Sequence, residues 1–475
     1  MRFKRRAGVL LHPSSLPGTG GVGDLGPQAL RFISWLEEAG VKIWQMLPLG
    51  PTGFGNSPYQ CFSAFAGNPL LIHVPGWSGP FPLHTVDFAA VLPEKTRARE
   101  QWLNSLTVGA GLDAFVSENA YWLDDFALFM SLKEAHGHAP WWAWKAKYAQ
   151  RDSAALQSWR TGHEQRIRLI CKEQYVFHEQ FLSLKQHCLQ HGVDLMGDLP
   201  IYVAHDSADV WSRPELFTLN PDGTLRVQSG VPPDYFSETG QRWGNPLYDW
   251  EVMREQNYEW WAARVRKALS LFDIIRLDHF RGFEAFWEIP GDAPTAVEGR
   301  WRSGPGAALF DALKEALGPL PVVAEDLGYI TAEVEALRDQ LEFPGMHVLQ
   351  FAFSDPTSPY LPHHHRVNAA VYTGTHDNDT TIGWWQRANR EFAMEYMGNS
   401  VSDESRINRA MIRSALASVA DTAVIPMQDI LGLGSEARMN MPSRESNNWR
   451  FRFSWDQLTP DATTELRRLV RLYDR

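Results

Sequence analysis

Cysteine is scarce in this 475-residue chain, which has only Cys61, Cys171 and Cys188. Their spacing fits no metal-ligand pattern, and so few thiols in so long a chain read as unpaired residues of a reducing compartment. A disulfide-stapled secreted scaffold is excluded, and a cytoplasmic location is expected. Positive charge is also short: 45 Lys and Arg face 56 Asp and Glu, a formal net charge of -11. Nucleic-acid binding is driven by clustered cations, so no nucleic-acid partner is expected. Long apolar runs are missing too. None nears the roughly 20 residues that span a bilayer, so no membrane partner is expected. The opening MRFKRRAGVLLHPSSLPG starts with the basic residues of an export signal, but its apolar stretch from Ala7 to Leu11 is short and ends at His12 and Pro13.

What is present is a globular balance of 44% hydrophobic and 21% charged residues, with 20 Trp, 13 Tyr and 25 Phe. Many of these rings stand beside Gly, Pro or polar residues, where they can stack on sugar faces as well as fill a core. Short β-rich runs alternate with amphipathic stretches. The predicted strands are 8–12, 41–47, 193–203, 272–279, 321–326, 347–353, 370–377 and 422–430; helical spacing covers 28–39, 165–191, 256–270, 307–317, 331–341 and 404–419. Eight βα repeats predict an α/β fold, a TIM (β/α)8 barrel forming one catalytic unit over residues 1–475. Two intervals, about 49–161 and 204–250, are too long for plain connections and read as subdomains inserted on βα loops, the face where barrel enzymes build their sites.

Carboxylates stand at the ends of three of these strands. FDIIRLDHFRG puts Arg276 and Asp278 on one strand face, where a guanidinium favours the charged carboxylate; a buried structural ion pair gives the same spacing. VVAEDLG ends at Glu325 and Asp326, and TGTHDNDT carries His376, Asp377 and Asp379, of which Asp379 is the natural helix cap. A retaining glycosidase needs two carboxyls about 5–5.5 Å apart, one ionised and one protonated. Asp278 has Arg276 beside it and Glu325 has no such neighbour, so Asp278 reads as nucleophile and Glu325 as general acid and base. Asp377 is left to grip sugar hydroxyls, with His376 as a neighbouring hydroxyl contact. The run His363–His365 reads as a solvated loop rather than a metal site.

With HPSSLPG at His12, PTGFGNSPYQ at Pro51, GDLPIYVA at Gly197, GVPPDYFSETGQRWGNPLYDW at Gly230, RLDHFRGF at Arg276, AEDLG at Ala324, THDNDT at Thr375 and GSEARMNMPS at Gly434, the chain resembles the amylomaltases of glycoside hydrolase family 77 over nearly its whole length. The resemblance implies a retaining 4-α-glucanotransferase acting on α-1,4-glucans, with glucose or a glucan 4-hydroxyl as acceptor and neither metal nor organic cofactor. It also implies the same roles for Asp278, Glu325 and Asp377, donor-side contacts from Arg276 and His376, and glucan contacts from Ser57, Tyr59, Asp198, Gln241, Trp243, Asp355 and Asn448. A lid over 233–244 would bring Tyr235 and Phe236 onto the acceptor. An α-glucan hydrolase of the α-amylase type would use the same acids, with water as acceptor. A non-catalytic glucan-binding protein would have no use for all three.

Overall fold

A computed structural model of the protein describes residues 3–233, 237–398, 406–442 and 444–475. Its strands are β1 (Arg6–Leu10), β2 (Ile43–Gln45), β3 (Asp194–Leu199), β4 (Val227–Val231), β5 (Gln241–Pro246), β6 (Ile274–Leu277), β7 (Ala285–Pro290), β8 (Arg300–Ser303), β9 (Val322–Ala324), β10 (Gly345–Val348), β11 (Ala369–Tyr372) and β12 (Thr422–Pro426). Eight of them form one parallel sheet in the order β10-β11-β12-β1-β2-β3-β6-β9. The N–H of Ala324 donates to the carbonyl of Pro344 at 2.8 Å, drawing β9 toward β10 and bringing the sheet round to a TIM-barrel-like wall. Each predicted strand overlaps one of these eight.

The strands are short and apolar because the wall is covered on both faces. Outside it, the helix Pro27–Ala39 shows why the helical pattern was legible. Pro27 occupies a first-turn position that needs no N–H, Gly40 ends the helix with φ 77°, and Ala29, Phe32, Ile33 and Leu36 form its buried face. Full burial of Leu36 contributes on the order of 2–3 kcal/mol. The helices Glu164–Gln190, Glu259–Leu271, Ala307–Leu317, Ala332–Gln340 and Ile407–Ala417 likewise follow the predicted spacing.

Between β2 and β3 the chain builds the helices Phe88–Ser105 and Ala110–Ala135, which lean on Glu164–Gln190. Arg99 and Glu173 lock that packing with a buried pair at 2.9 Å. The second predicted interval supplies β4 and β5, but their antiparallel sheet runs β5-β4-β7-β8. Half of it therefore comes from a hairpin at 285–303, inside a stretch where no strand was predicted.

Candidate active site

Register assembles the centre of the site. Asp198 on β3 lies opposite Arg276 on β6, which in turn lies opposite Val323 on β9. Side chains alternate along each strand, so Asp198, Arg276, Asp278 and Glu325 all belong to one face, the last two just beyond their strand ends. The N–H of Asp278 donates to Leu199 O and that of Glu325 to Leu277 O, each at 3.0 Å, which carries the pairing past the strands. Neighbouring strands sit about 4.8 Å apart, a spacing suited to the two carboxyls of the retaining route. Gly197, next to Asp198, has to be glycine: a Cβ there would lie 2.2 Å from the Phe272 ring.

A single guanidinium nitrogen, Nη1 of Arg276, donates to Asp198 Oδ1 and Oδ2 at 2.8 and 2.7 Å and to Asp278 Oδ1 at 2.9 Å. The side chain of Asp198 is 0% exposed and that of Asp278 is 25% exposed, so of the two only Asp278 opens to the cleft. Burial pushes the Asp198 carboxyl upward, while Arg276 opposes that shift. The flanking carboxylates hold Arg276 charged. Tyr59 completes the group, donating its hydroxyl to Asp198 Oδ2 at 2.8 Å.

Glu325 has different surroundings. Its Oε2 accepts the N–H of His279 at 2.7 Å and its Oε1 the N–H of Leu327 at 3.0 Å. Burial is the main force on its proton; Arg276 works against it and the charge of Asp278 with it, and the carboxyl is pushed up to about 8. At neutral pH it is therefore largely protonated. His279, whose N–H is aimed at Glu325, has a left-handed backbone at φ 51°, a conformation that costs a β-carbon residue about 1 kcal/mol or more. Burial lowers its own imidazole to about 4.

Beside this group, rings from three distant segments meet. Tyr59 stacks on His376 at 5.1 Å and 16°, and Trp449 tilts against both at 5.7 and 6.0 Å. Asp377 stands at this wall, half exposed, with Oδ1 3.4 Å from His376 Nε2. Asn440 donates to Asp377 Oδ1 at 2.6 Å, and Arg438 to its carbonyl at 2.5 Å. Behind His376, His12 is buried and lowered to about 3, by burial first and then by His376.

Among the other predicted contacts, Trp243 sets its edge on His279 at 4.8 Å. Gln241 accepts the Trp243 indole N–H at 3.2 Å. Ser57 accepts the Tyr59 N–H at 3.2 Å, within its own turn. Asn448 is spent on its loop, bonding Met441 N–H at 3.0 Å and Arg444 O at 2.8 Å. Asp355 binds Thr357 N–H at 2.9 Å and Ser354 Oγ at 3.2 Å, again its own turn. Of the predicted lid, Tyr235 and Phe236 lie outside the described residues.

Two expectations change. Thr380, not Asp379, caps the helix Thr381–Trp385, while Asp379 pairs with Arg387 at 2.5 Å and accepts from Ser435 at 2.9 Å; the cation and hydroxyl outbid a backbone cap that Thr380 can fill. The histidine run is not simply solvated. His365 is buried, stacks on His347 at 4.4 Å and bonds Ser418 Oγ at 2.7 Å. Among the described residues no group of His, Cys, Asp and Glu is placed to hold a metal ion, nor is any helix long and apolar enough to cross a membrane.

Trp449, Asn440, His279 and His12 were not singled out from sequence. Trp449 and Asn440 sit in NNWRFR and GSEARMNMPS, where a ring among polar residues and an amide between two methionines were the available signals.

Comparison with known proteins agrees with this geometry. The profile of the 4-alpha-glucanotransferase family, glycoside hydrolase family 77, matches residues 11–459. A 4-alpha-glucanotransferase of Thermus thermophilus is 46% identical over 503 aligned positions covering 100% of both chains. A chloroplastic/amyloplastic 4-alpha-glucanotransferase of Solanum tuberosum is 42% identical, covering 99% of this chain and 87% of that one. The amylomaltase of Streptococcus agalactiae, solved in complex with acarbose, superposes with a TM-score of 0.95 at 36% identity, covering 99% of this chain and 100% of that one. A rim of strand-end carboxylates on a parallel barrel and a match along the chain lead to one conclusion: the protein belongs to the 4-α-glucanotransferase family, glycoside hydrolase family 77.

Proposed function

We propose that this 4-α-glucanotransferase works by double displacement, with Asp278 as nucleophile and Glu325 as acid and base. The observation that carries the reading is the asymmetry around Arg276: its nitrogen is shared by Asp198 and Asp278, while Glu325 holds its proton up to about 8. In the first half, Asp278 attacks the anomeric carbon of a donor α-1,4-glucan. The bond to the glycosidic oxygen breaks, and that oxygen takes the Glu325 proton. In the second, Glu325 removes the proton of an acceptor 4-hydroxyl, whose oxygen displaces Asp278 and restores the α linkage.

Asp377, held by Asn440 and beside His376, grips hydroxyls of the sugar at the reaction centre. Tyr59, His376 and Trp449 form its apolar wall. Asp198, being buried, supports Arg276 rather than meeting sugar. Ser57, Gln241, Asp355 and Asn448 act through the loops they hold, while Trp243 and the 233–244 segment with Tyr235 and Phe236 serve the acceptor side. The donors are maltodextrins or glycogen, glucose is an acceptor, and the compartment is the cytoplasm, a reading supported by three unpaired cysteines. The 49–161 and 204–250 segments act as cleft-forming subdomains of one catalytic unit.

The test is incubation with pure maltotriose. Glucose plus a ladder of longer maltodextrins is expected on chromatography; glucose and maltose alone would mean hydrolysis and overturn the reading.

A further inference from the structure

The loop that carries Glu325 ends in an exposed ring with an unusual support. Leu327 donates its N–H to Glu325 Oε1 at 3.0 Å. Two residues on stands Tyr329, 70% exposed. Four residues of extended chain reach at most about 14 Å, so the ring lies within a few sugar units of the acid.

An isolated exposed aromatic means little, but this one is braced. Arg281, three residues past Asp278, donates Nη1 to the Tyr329 carbonyl at 2.5 Å. Its guanidinium carbon lies 5.5 Å from the Tyr329 ring centre and 3.9 Å from that of Trp301. Trp301 is 37% exposed and is backed in turn by Trp287 at 5.2 Å and 68°. Phe280 ties the base of this stack to the acid, donating its N–H to Glu325 O at 3.0 Å. A cation between two rings costs the surface some desolvation and fixes the outer ring in place. Folding alone has no need of an open tyrosine at the end of such a stack.

We propose that Tyr329, held by Arg281 and Trp301, is a stacking platform for the acceptor glucan on the leaving-group side of Glu325. Two observations set the direction. The acid must face the glycosidic oxygen, so the loop continuing from it runs along the departing and incoming chain. The Tyr59, His376 and Trp449 wall comes from the loops that follow β2 and β11 and from the C-terminal segment, not from the loop after β9 that carries Tyr329. The ligand is an α-1,4-glucan long enough to pass the first acceptor position; free glucose is too short. Contact is through the ring face, so the phenol hydroxyl is dispensable.

This inference rests on the transferase reading above. The test uses the full-length enzyme with α-maltosyl fluoride as a fixed donor and either glucose or maltoheptaose as acceptor. Tyr329→Ala is expected to raise the KM for maltoheptaose about 3- to 10-fold, with kcat and the glucose KM unchanged, as loss of one ring stack implies. Tyr329→Phe should match the parent. An unchanged maltoheptaose KM in Tyr329→Ala, an equal rise for both acceptors, or a Phe variant as impaired as Ala would overturn the platform. Failure of the parent enzyme to transfer to either acceptor would instead overturn the transferase reading.

Discussion

Glu325 and Asp326 are neighbours at the end of one strand, yet they belong to opposite kinds of site. Asp326 points to the outer wall, where Arg338 donates to it at 2.5 Å and the N–H of Met346 at 2.7 Å. Arg338 also reaches Asp339 at 2.8 Å. This group holds β9 to β10 where the barrel ring is least well paired. Glu325 points to the cleft, has no cation of its own and keeps its proton. Charge at Arg338 is partnered to hold structure, whereas at Arg276 one cation is spread over two carboxylates and a third is left with a proton to give. The strand pleat, reversing direction at each residue, separates the two outcomes.

Substitutions at the two arginine sites should split cleanly between activity and stability. The largest effect is on chemistry. Asp278→Asn and Glu325→Gln should each cut transfer from maltotriose by at least about 10³-fold, with the circular dichroism of the folded protein unchanged. A fluoride donor sharpens the pair, because fluoride leaves without a proton: Glu325→Gln should still release fluoride and Asp278→Asn should not. Release by both variants would undo the assignment of nucleophile and acid.

Next in size is the structural site. Arg338→Met leaves Asp326 buried without its cation, a loss of about 3–5 kcal/mol. Thermal unfolding should show it, while activity per folded molecule stays at the parent level. A variant that keeps its stability but loses turnover would erase the contrast.

The smallest effect is in pH. A carboxyl raised from 4.5 to about 8 gives up its proton above that value, so kcat/KM for donor cleavage should fall tenfold per unit above about pH 8. With the fluoride donor this limb should vanish. The sign for stability follows from the same shift. The folded state holds the proton more tightly between about 4.5 and 8, so the contribution of Glu325 is full at low pH and fades as pH rises through that window. Glu325→Gln should therefore gain stability relative to the parent as pH is raised from 5 to 8. Equal pH dependence of the two melting curves would contradict a protonated Glu325.

Much of this architecture was legible from residue patterns. The eight barrel strands were found because strands covered on both faces read as short apolar runs and because helices of clear 3.6 periodicity separate them. The carboxylates that close three of these runs stood out because a polar residue ending an apolar strand breaks its pattern. The hairpin at 285–303 escaped, although AFWEIP is rich in strand-forming rings and GDAPTAVEG reads as its turn; the strand it joins, β4, lies about 60 residues earlier, and pairing over that distance leaves no local trace. His279 escaped because its role lies in its backbone N–H. Asp198, Ser57, Gln241, Asp355 and Asn448 were read as glucan contacts, and their side chains also bond neighbours within the fold; a polar side chain in a loop looks the same in sequence whether it waits for a ligand or caps its own turn.

Period and position are properties of a chain, so the order of the strands and the carboxylates that close them were already determined by the residues in line. Partnership is a property of space. Which acid shares Arg276, which keeps its proton, and how rings at 59, 376 and 449 come to one wall depend on cross-strand register and on the removal of water from particular carboxyls. Those are set only when segments hundreds of residues apart are packed together.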